Sequence, residues 1–155
     1  MAAGVGAYPG LPHRLEYVGT YREIEFYNDS IATIPQSAQL AVETLERVDT
    51  LIIGGMDRGI DYTAFADFLC ASGVQTVIGL PDTGATVCSL LELRGAACEQ
   101  VLVAEMAEAV QAAYDRTRPG RICLLSPAAS SYNRYRNFEE RGNAFKRWVR
   151  ELGAV

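Results

Sequence analysis

"TLIIGGMDRGIDYTAFADFLCASGVQTVIGL", residues 50–80, is the stretch that decides the fold. It begins and ends with short apolar runs, "TLIIGG" and "VQTVIGL", and a helical pattern over residues 62–72 lies between them. Strands that are apolar on both faces belong in a parallel sheet that helices cover. The stretch therefore predicts a strand–helix–strand unit with a right-handed crossover.

The same alternation continues along the rest of the chain. Further apolar strands are "EQVLVA" and "RICLLSP", and further helical stretches cover residues 34–49, 84–94, 105–117 and 137–152. Before them, "RLEYVGTY" and "EIEFYND" surround a short polar turn, which predicts an antiparallel hairpin. The sequence thus predicts an α/β domain of the Rossmann-like class: a mostly parallel sheet flanked by helices, with an N-terminal antiparallel hairpin.

Composition sets the limits on size and class. A chain of 155 residues with 49% hydrophobic residues is enough for one domain with one core. A net charge of −5 argues against a general nucleic-acid or membrane-surface binder. We find no run of about 18 uncharged apolar residues, so we expect no membrane insertion. The N-terminus lacks the features of a signal peptide, which makes the cytoplasm the expected location.

The first ten residues differ from the rest, because they are rich in small side chains and show no periodic pattern. We expect residues 1–10 to be a linker or the remainder of an upstream domain, and residues 11–155 to be the folded domain. The four cysteines form no CxxC pair and His13 is the single histidine, so no zinc ligand set is predicted. We expect the cysteines to be reduced and mostly buried.

Short polar side chains crowd the segment "YNDSIATIP", residues 27–35. Asn28, Asp29, Ser30 and Thr33 can act as caps of the helix that begins near Pro35. They can equally form part of a ligand site, because the turn between a strand and a helix is where α/β proteins bind ligands. The residues alone leave both interpretations open.

Two more polar segments follow predicted strands, "GGMDRGID" and "SPAASS". The first lacks the glycine patterns of nucleotide-phosphate loops, and its Arg58 can hold a carboxylate or point into solvent. The second offers hydroxyl and N–H groups for an anion, or is an ordinary turn. The aromatic residues of "RNFEERGNAFKRWVREL" are expected mainly in the core. Since the segments share the carboxyl ends of strands, they predict a ligand crevice at one edge of the sheet.

The segments "LPHR", "YNDSIAT", "GGMDRGID" and "LLSPAASSYNRYRNFEERG", in this order and at these spacings, resemble the C-terminal domain of the Mur ligases. The resemblance covers residues 11–152 and is strongest to the glutamate-adding members. It implies an ATP-dependent ligase of peptidoglycan precursor synthesis, which activates the muramoyl carboxylate of UDP-N-acetylmuramoyl-L-alanine as an acyl phosphate for attack by the amino group of glutamate. In this family the phosphate loop, the magnesium ligands and the UDP site lie in the central and N-terminal domains. The resemblance therefore implies partnership with those domains, ATP and Mg²⁺ as cofactors, and an inactive fragment.

The same resemblance assigns binding residues but no catalytic or metal-binding residue to this domain. The residues that match the family's ATP contacts are Arg14 and Asp29, and those that match its glutamate contacts are Thr33, Arg58, Ser131 and Phe138. The sequence departs from the usual pattern at Ile31 and Arg58, where most glutamate-adding members carry lysine. A subfamily adds L-glutamate, so D-glutamate is the first expectation and L-glutamate the alternative. A free-standing nucleotide-binding module of Rossmann-like fold is a further alternative.

Overall fold

The computed structural model describes residues 11–154, which form one six-stranded sheet with helices on both faces. The predicted linker, residues 1–10, lies outside the described part of the chain. The strands are β1 (Glu16–Tyr21), β2 (Ile24–Asn28), β3 (Val48–Ile53), β4 (Thr76–Gly79), β5 (Glu99–Leu102) and β6 (Ile122–Leu125). The helices are α1 (Pro35–Leu45), α2 (Thr63–Ala71), α3 (Thr83–Leu93), α4 (Met106–Arg116) and α5 (Phe138–Gly153).

The strand order in the sheet is β1-β2-β6-β3-β4-β5. β1 pairs with β2 in the antiparallel direction, and every other neighbouring pair is parallel. The predicted fold class is therefore confirmed, including the N-terminal hairpin, which joins the sheet through the pairing of β2 with β6. No helix within residues 11–154 is long and apolar enough to cross a membrane.

The central strand β3 is buried along its whole length because helices cover both of its faces. Leu51 and Ile53 pack in a cluster with α1, α2 and α3, whereas Ile52 packs in a second cluster with α4 and α5. The helix that follows β6 thus lies on the opposite face from the helices that follow its neighbours β2 and β3. Loops that leave adjacent strands in opposite directions open a crevice at the carboxyl ends of those strands.

Two sequence-based expectations were wrong in part. The helix predicted over residues 34–49 ends at Leu45, because Glu46 adopts a left-handed conformation with φ of 65° and β3 starts at Val48. The cysteines are all free, but only Cys88 and Cys123 are buried. Of the α5 aromatics expected mainly in the core, Phe145 is fully buried, Trp148 packs partly buried against the core, and Phe138 is partly buried.

A buried carboxylate joins the start of β3 to the turn before β6. Asp49 is 0% exposed and accepts hydrogen bonds from Arg118, from its backbone N at 3.0 Å and from its Nη2 at 2.6 Å. Arg121 Nε lies 3.8 Å from the same carboxylate. The guanidinium groups stay partly in solvent, so Asp49 alone bears the cost of burial, and its hydrogen bonds offset that cost.

We expect Asp49→Ala to lower the free energy of unfolding by about 2 kcal/mol, because the substitution removes charge-assisted hydrogen bonds at a buried acceptor. Asp67→Ala is the matched control, since Asp67 pairs with Arg94 on the surface and is 63% exposed. The control should change the free energy by less than about 0.5 kcal/mol. Urea unfolding followed by circular dichroism measures both values. Equal losses in the two variants would contradict the structural role given to Asp49.

Candidate functional site

Three loops meet at the carboxyl edge of the sheet, and backbone hydrogen bonds hold them together. They follow β2 (residues 29–34), β3 (residues 54–62) and β6 (residues 126–137). The bonds run from Ala128 N to Ala32 O (3.0 Å), from Gly54 N to Pro127 O (3.0 Å) and from Met56 N to Ser130 O (2.8 Å). The β6 loop is therefore fixed to both of its neighbours, and all three polar segments singled out in the sequence lie together at one edge of the sheet.

The interpretation of the β2 loop as a set of helix caps is wrong. α1 begins at Pro35 as predicted, but its N-cap is Ile34, and no side chain caps the helix. Asn28 instead shapes the turn, because its Oδ1 accepts a hydrogen bond from Ser30 N at 3.0 Å. Its Nδ2 donates to His13 Nδ1 at 2.9 Å. Asn28 thus shapes its own turn and binds the segment before β1 rather than capping α1.

Asp29, one of the two predicted ATP residues, is 5% exposed at the end of β2. Its Oδ1 accepts from Leu15 N at 3.1 Å and its Oδ2 accepts from Ser126 Oγ at 2.8 Å. Burial raises the pKa of the Asp29 carboxyl above its ordinary value, while these hydrogen bonds and the charge of Arg14 act in the opposite direction. Each oxygen retains a lone pair, so the carboxylate can accept one more hydroxyl donor.

Arg14, the other predicted ATP residue, is exposed next to this carboxylate on the segment that precedes β1. Its neighbour His13 is 5% exposed and packs edge-on against Phe138 at 5.9 Å. A Cβ at Gly142 would collide with His13 Nδ1, so only glycine allows this contact with α5. Burial lowers the pKa of His13, in agreement with a neutral ring whose Nδ1 accepts from Asn28. The histidine, considered in the sequence only as a metal ligand, fixes the backbone next to Arg14.

The residues predicted to bind glutamate lie on all three loops. Ser131 is 2% exposed, and Thr33 is partly buried. Arg58 is exposed and forms no ion pair or side-chain hydrogen bond with the residues that the structure describes. The bond between the backbones of Met56 and Ser130 holds the loops of Arg58 and Ser131 side by side. The arrangement offers two hydroxyl groups and one guanidinium to an anionic ligand.

Phe138, the fourth predicted glutamate residue, is the first residue of α5 and is partly buried. Its carbonyl accepts a hydrogen bond from Ser30 Oγ at 2.7 Å. Asn137 caps the helix by accepting from Glu140 N at 2.9 Å. As an N–H of the first turn, the Phe138 amide has no partner within the helix and remains available as a donor.

Arg141 is a residue of this region that the sequence analysis missed. Its side chain is 1% exposed and donates from Nε to Ser30 Oγ at 3.0 Å and from Nη2 to Ser30 O at 2.8 Å. The signal was present in the helical spacing, because Arg141 lies three residues after Phe138 and four before Phe145, on the apolar face of α5. Within residues 11–154, no group of three or more His, Cys, Asp or Glu side chains is placed to hold a metal ion.

Comparison with known proteins identifies the family. Residues 13–129 match the family model described as the Mur ligase, glutamate ligase domain. The chain is 39% identical over 153 residues to a UDP-N-acetylmuramoyl-L-alanine–L-glutamate ligase of Salinispora tropica, covering 97% of the chain and 34% of that protein. It is 40% identical over 148 residues to a UDP-N-acetylmuramoylalanine–D-glutamate ligase of Symbiobacterium thermophilum, covering 96% and 32%.

Comparison with a solved structure supports the fold. The murein peptide ligase Mpl of Psychrobacter arcticus superposes with a TM-score of 0.63 at 15% identity, covering 96% of the chain and 32% of that structure. The chain thus spans about a third of the length of the proteins that it matches. On the family model and on its sequence relatives, the chain belongs to the Mur ligases and corresponds to their glutamate ligase domain.

Proposed function

We propose that this chain is the C-terminal domain of an ATP-dependent ligase that adds glutamate to UDP-N-acetylmuramoyl-L-alanine in the bacterial cytoplasm, during peptidoglycan precursor synthesis. The observation that carries the proposal is the convergence of Asp29, Thr33 and Ser131 on one edge of the sheet, in a chain that belongs to the Mur ligases. The partners in the reaction are the N-terminal and central domains of the same enzyme.

The domain's role is to hold the two smaller substrates in place. Asp29 accepts from the ribose hydroxyls, and Arg14 pairs with the phosphates. The hydroxyls of Thr33 and Ser131, the Arg58 guanidinium and the Phe138 N–H bind the carboxylates of glutamate. When bound, ATP supplies the phosphoryl group that activates the muramoyl carboxylate. We place the ligands of Mg²⁺ on the central domain.

The stereochemistry of the amino acid has two candidates. D-glutamate is the first candidate. Of two relatives with similar sequence identity to this chain, one is named an L-glutamate ligase and the other a D-glutamate ligase. Ile31 and Arg58 replace lysines that are usual in glutamate-adding members of the family. The isoleucine removes one positive charge, and the arginine replaces an ammonium group with a planar guanidinium that forms bidentate hydrogen bonds. Both changes alter how a dicarboxylate is oriented, so we keep L-glutamate as the second candidate.

The first prediction from this proposal concerns what the 155-residue chain does alone. We expect it to fold and to release no phosphate when it is mixed with ATP, Mg²⁺, UDP-N-acetylmuramoyl-L-alanine and glutamate, because the activating groups belong to the other domains. Phosphate release and circular dichroism measure the two properties. Turnover by the pure chain would contradict the proposal, and tight binding of ATP in calorimetry would favour the free-standing nucleotide-binding module.

The second prediction tests Asp29 in the full-length ligase. Asp29→Ala should raise the KM for ATP about fivefold or more, since a lost ribose hydrogen bond is worth about 1 kcal/mol, and should leave the KM for glutamate nearly unchanged. Ser126→Ala is the matched control, because it removes the partner of Asp29 Oδ2 but keeps the carboxylate. If both variants lose thermal stability and neither changes the KM for ATP, Asp29 is structural only.

The third prediction tests Arg58 in the same enzyme. Arg58→Ala should raise the KM for glutamate about 30-fold, equivalent to about 2 kcal/mol for a charge-assisted hydrogen bond, with the KM for ATP little changed. Arg58→Lys should recover only part of the affinity for glutamate, because an ammonium group cannot form the bidentate hydrogen bonds of a guanidinium. Arg150→Ala, an exposed arginine on α5, is the control. Assays with D- and L-glutamate decide the specificity, and wild-type kinetics in Arg58→Ala would exclude the pairing.

A further inference from the structure

Tyr62 is the last residue of the β3 loop and reaches under the β6 loop. Its side chain is 3% exposed, and its hydroxyl donates a hydrogen bond to the carbonyl of Ala128 at 2.7 Å. The ring packs edge-on against Phe65, with the two centroids 6.4 Å apart, so the core fixes its position. Burial raises the pKa of Tyr62 above its ordinary value, so the hydroxyl keeps its proton at neutral pH and remains a donor.

The acceptor belongs to a residue with a disfavoured backbone conformation. Ala128 is 1% exposed and has a φ of 59°, in the left-handed region that residues with a Cβ rarely adopt. Such a conformation persists where the surroundings hold it. Here the N–H of Ala128 donates to Ala32 O at 3.0 Å, and its carbonyl accepts from Tyr62. The Tyr62 hydroxyl therefore stabilises a turn of the β6 loop that alanine alone disfavours.

The same bond joins the two loops that carry residues of the proposed glutamate site. Ser131 follows Ala128 by three residues on the β6 loop. Arg58 lies on the β3 loop between Met56, whose N–H bonds to the β6 loop at 2.8 Å, and Tyr62. The segment that carries Arg58 is thus attached to the β6 loop at both of its ends, through the backbone at one end and through the Tyr62 side chain at the other.

We infer that Tyr62 positions Arg58 and Ser131 for glutamate by fixing the β3 loop to the β6 loop at Ala128. The inference rests on the proposed function, which assigns these two residues to glutamate. Because Tyr62 is buried, it acts through the loops rather than through contact with substrate. A ligand that must contact both loops binds more tightly when their spacing is already fixed. Tyr62 is therefore a positioning residue for the amino acid.

Kinetics of the full-length ligase test the inference through removal of one hydroxyl. Tyr62→Phe keeps the ring and should raise the KM for glutamate about fivefold, while the KM for ATP stays within about twofold. Tyr114→Phe is the matched control, because the Tyr114 hydroxyl is also buried and donates to a carbonyl, that of Val149, at 2.7 Å in the core cluster on the other face of the sheet. The control should leave both constants unchanged. A similar rise of both constants in Tyr62→Phe would overturn the inference.

A second substitution tests the part played by Ala128. Glycine adopts a positive φ without the penalty of a Cβ, so it needs less support from Tyr62. Ala128→Gly in the Tyr62→Phe background should return the KM for glutamate to within about twofold of the wild-type value, whereas Ala128→Gly alone should change it little. A double variant as impaired as Tyr62→Phe would overturn the link through Ala128.

Amide hydrogen exchange of the 155-residue chain, followed by NMR, gives a readout without substrates. Tyr62→Phe should speed exchange of the Met56 and Ala128 N–H groups about fivefold or more, and Tyr114→Phe should not. Unchanged exchange would overturn the inference whatever reaction the enzyme catalyses. So would a wild-type KM for glutamate in Tyr62→Phe when Arg58→Ala raises it. A wild-type KM in both variants would contradict the proposed glutamate site itself, so the two failures give different results.

Discussion

Backbone hydrogen bonds that continue beyond the ends of β2, β3 and β6 are the constraint on which the arrangement of the three loops depends. Loops after two adjacent parallel strands diverge where the helices that follow those strands lie on opposite faces of the sheet. Here the β6 loop bonds on one side to Ala32 and on the other to Gly54 and Met56. Main-chain bonds fix the spacing of the three loops before any side chain contributes, so side chains from distant parts of the chain share one edge.

A second layer of buried polar contacts attaches α5 and the N-terminal segment to the same edge. Ser30 is the centre of this layer, because its hydroxyl donates to the Phe138 carbonyl and accepts from Arg141 Nε, while its own carbonyl accepts from Arg141 Nη2. Asn28 binds the imidazole of His13 on the same side. Such groups are costly to bury unpaired, so each bond made within the layer favours one arrangement of the segments over slightly shifted ones.

The fold was predictable from the sequence because it rests on local patterns. Short apolar strands and amphipathic helices identify the layers, and the two runs before residue 30 identify the hairpin. Binding roles could be assigned from the sequence only where residues matched a family pattern, as Asp29 and Ser131 did, and those roles stay predictions. The contact of Ser30 with Arg141 spans 111 residues and follows from no local signal, and the buried Asp49 lies where the sequence pattern indicated the end of a helix. A charged residue on the apolar face of α5 was the available clue.

The residues at the carboxyl edge fall into two kinds, and the difference bears on the ligand binding proposed for this edge. Asp29 and Ser131 are buried, and Asp29 is oriented by bonds within the domain, so little further ordering is needed when a ligand arrives. Arg14 and Arg58 are exposed and form no ion pair among the described residues, in a chain with 19 acidic and 14 basic side chains. Cations that stay unpaired despite an excess of carboxylates keep their full charge for a ligand. The domain therefore combines buried polar groups, Asp29 and Ser131, with two exposed arginines, Arg14 and Arg58, that form no ion pair among the described residues. This arrangement suits ligands that carry both hydroxyl groups and negative charge.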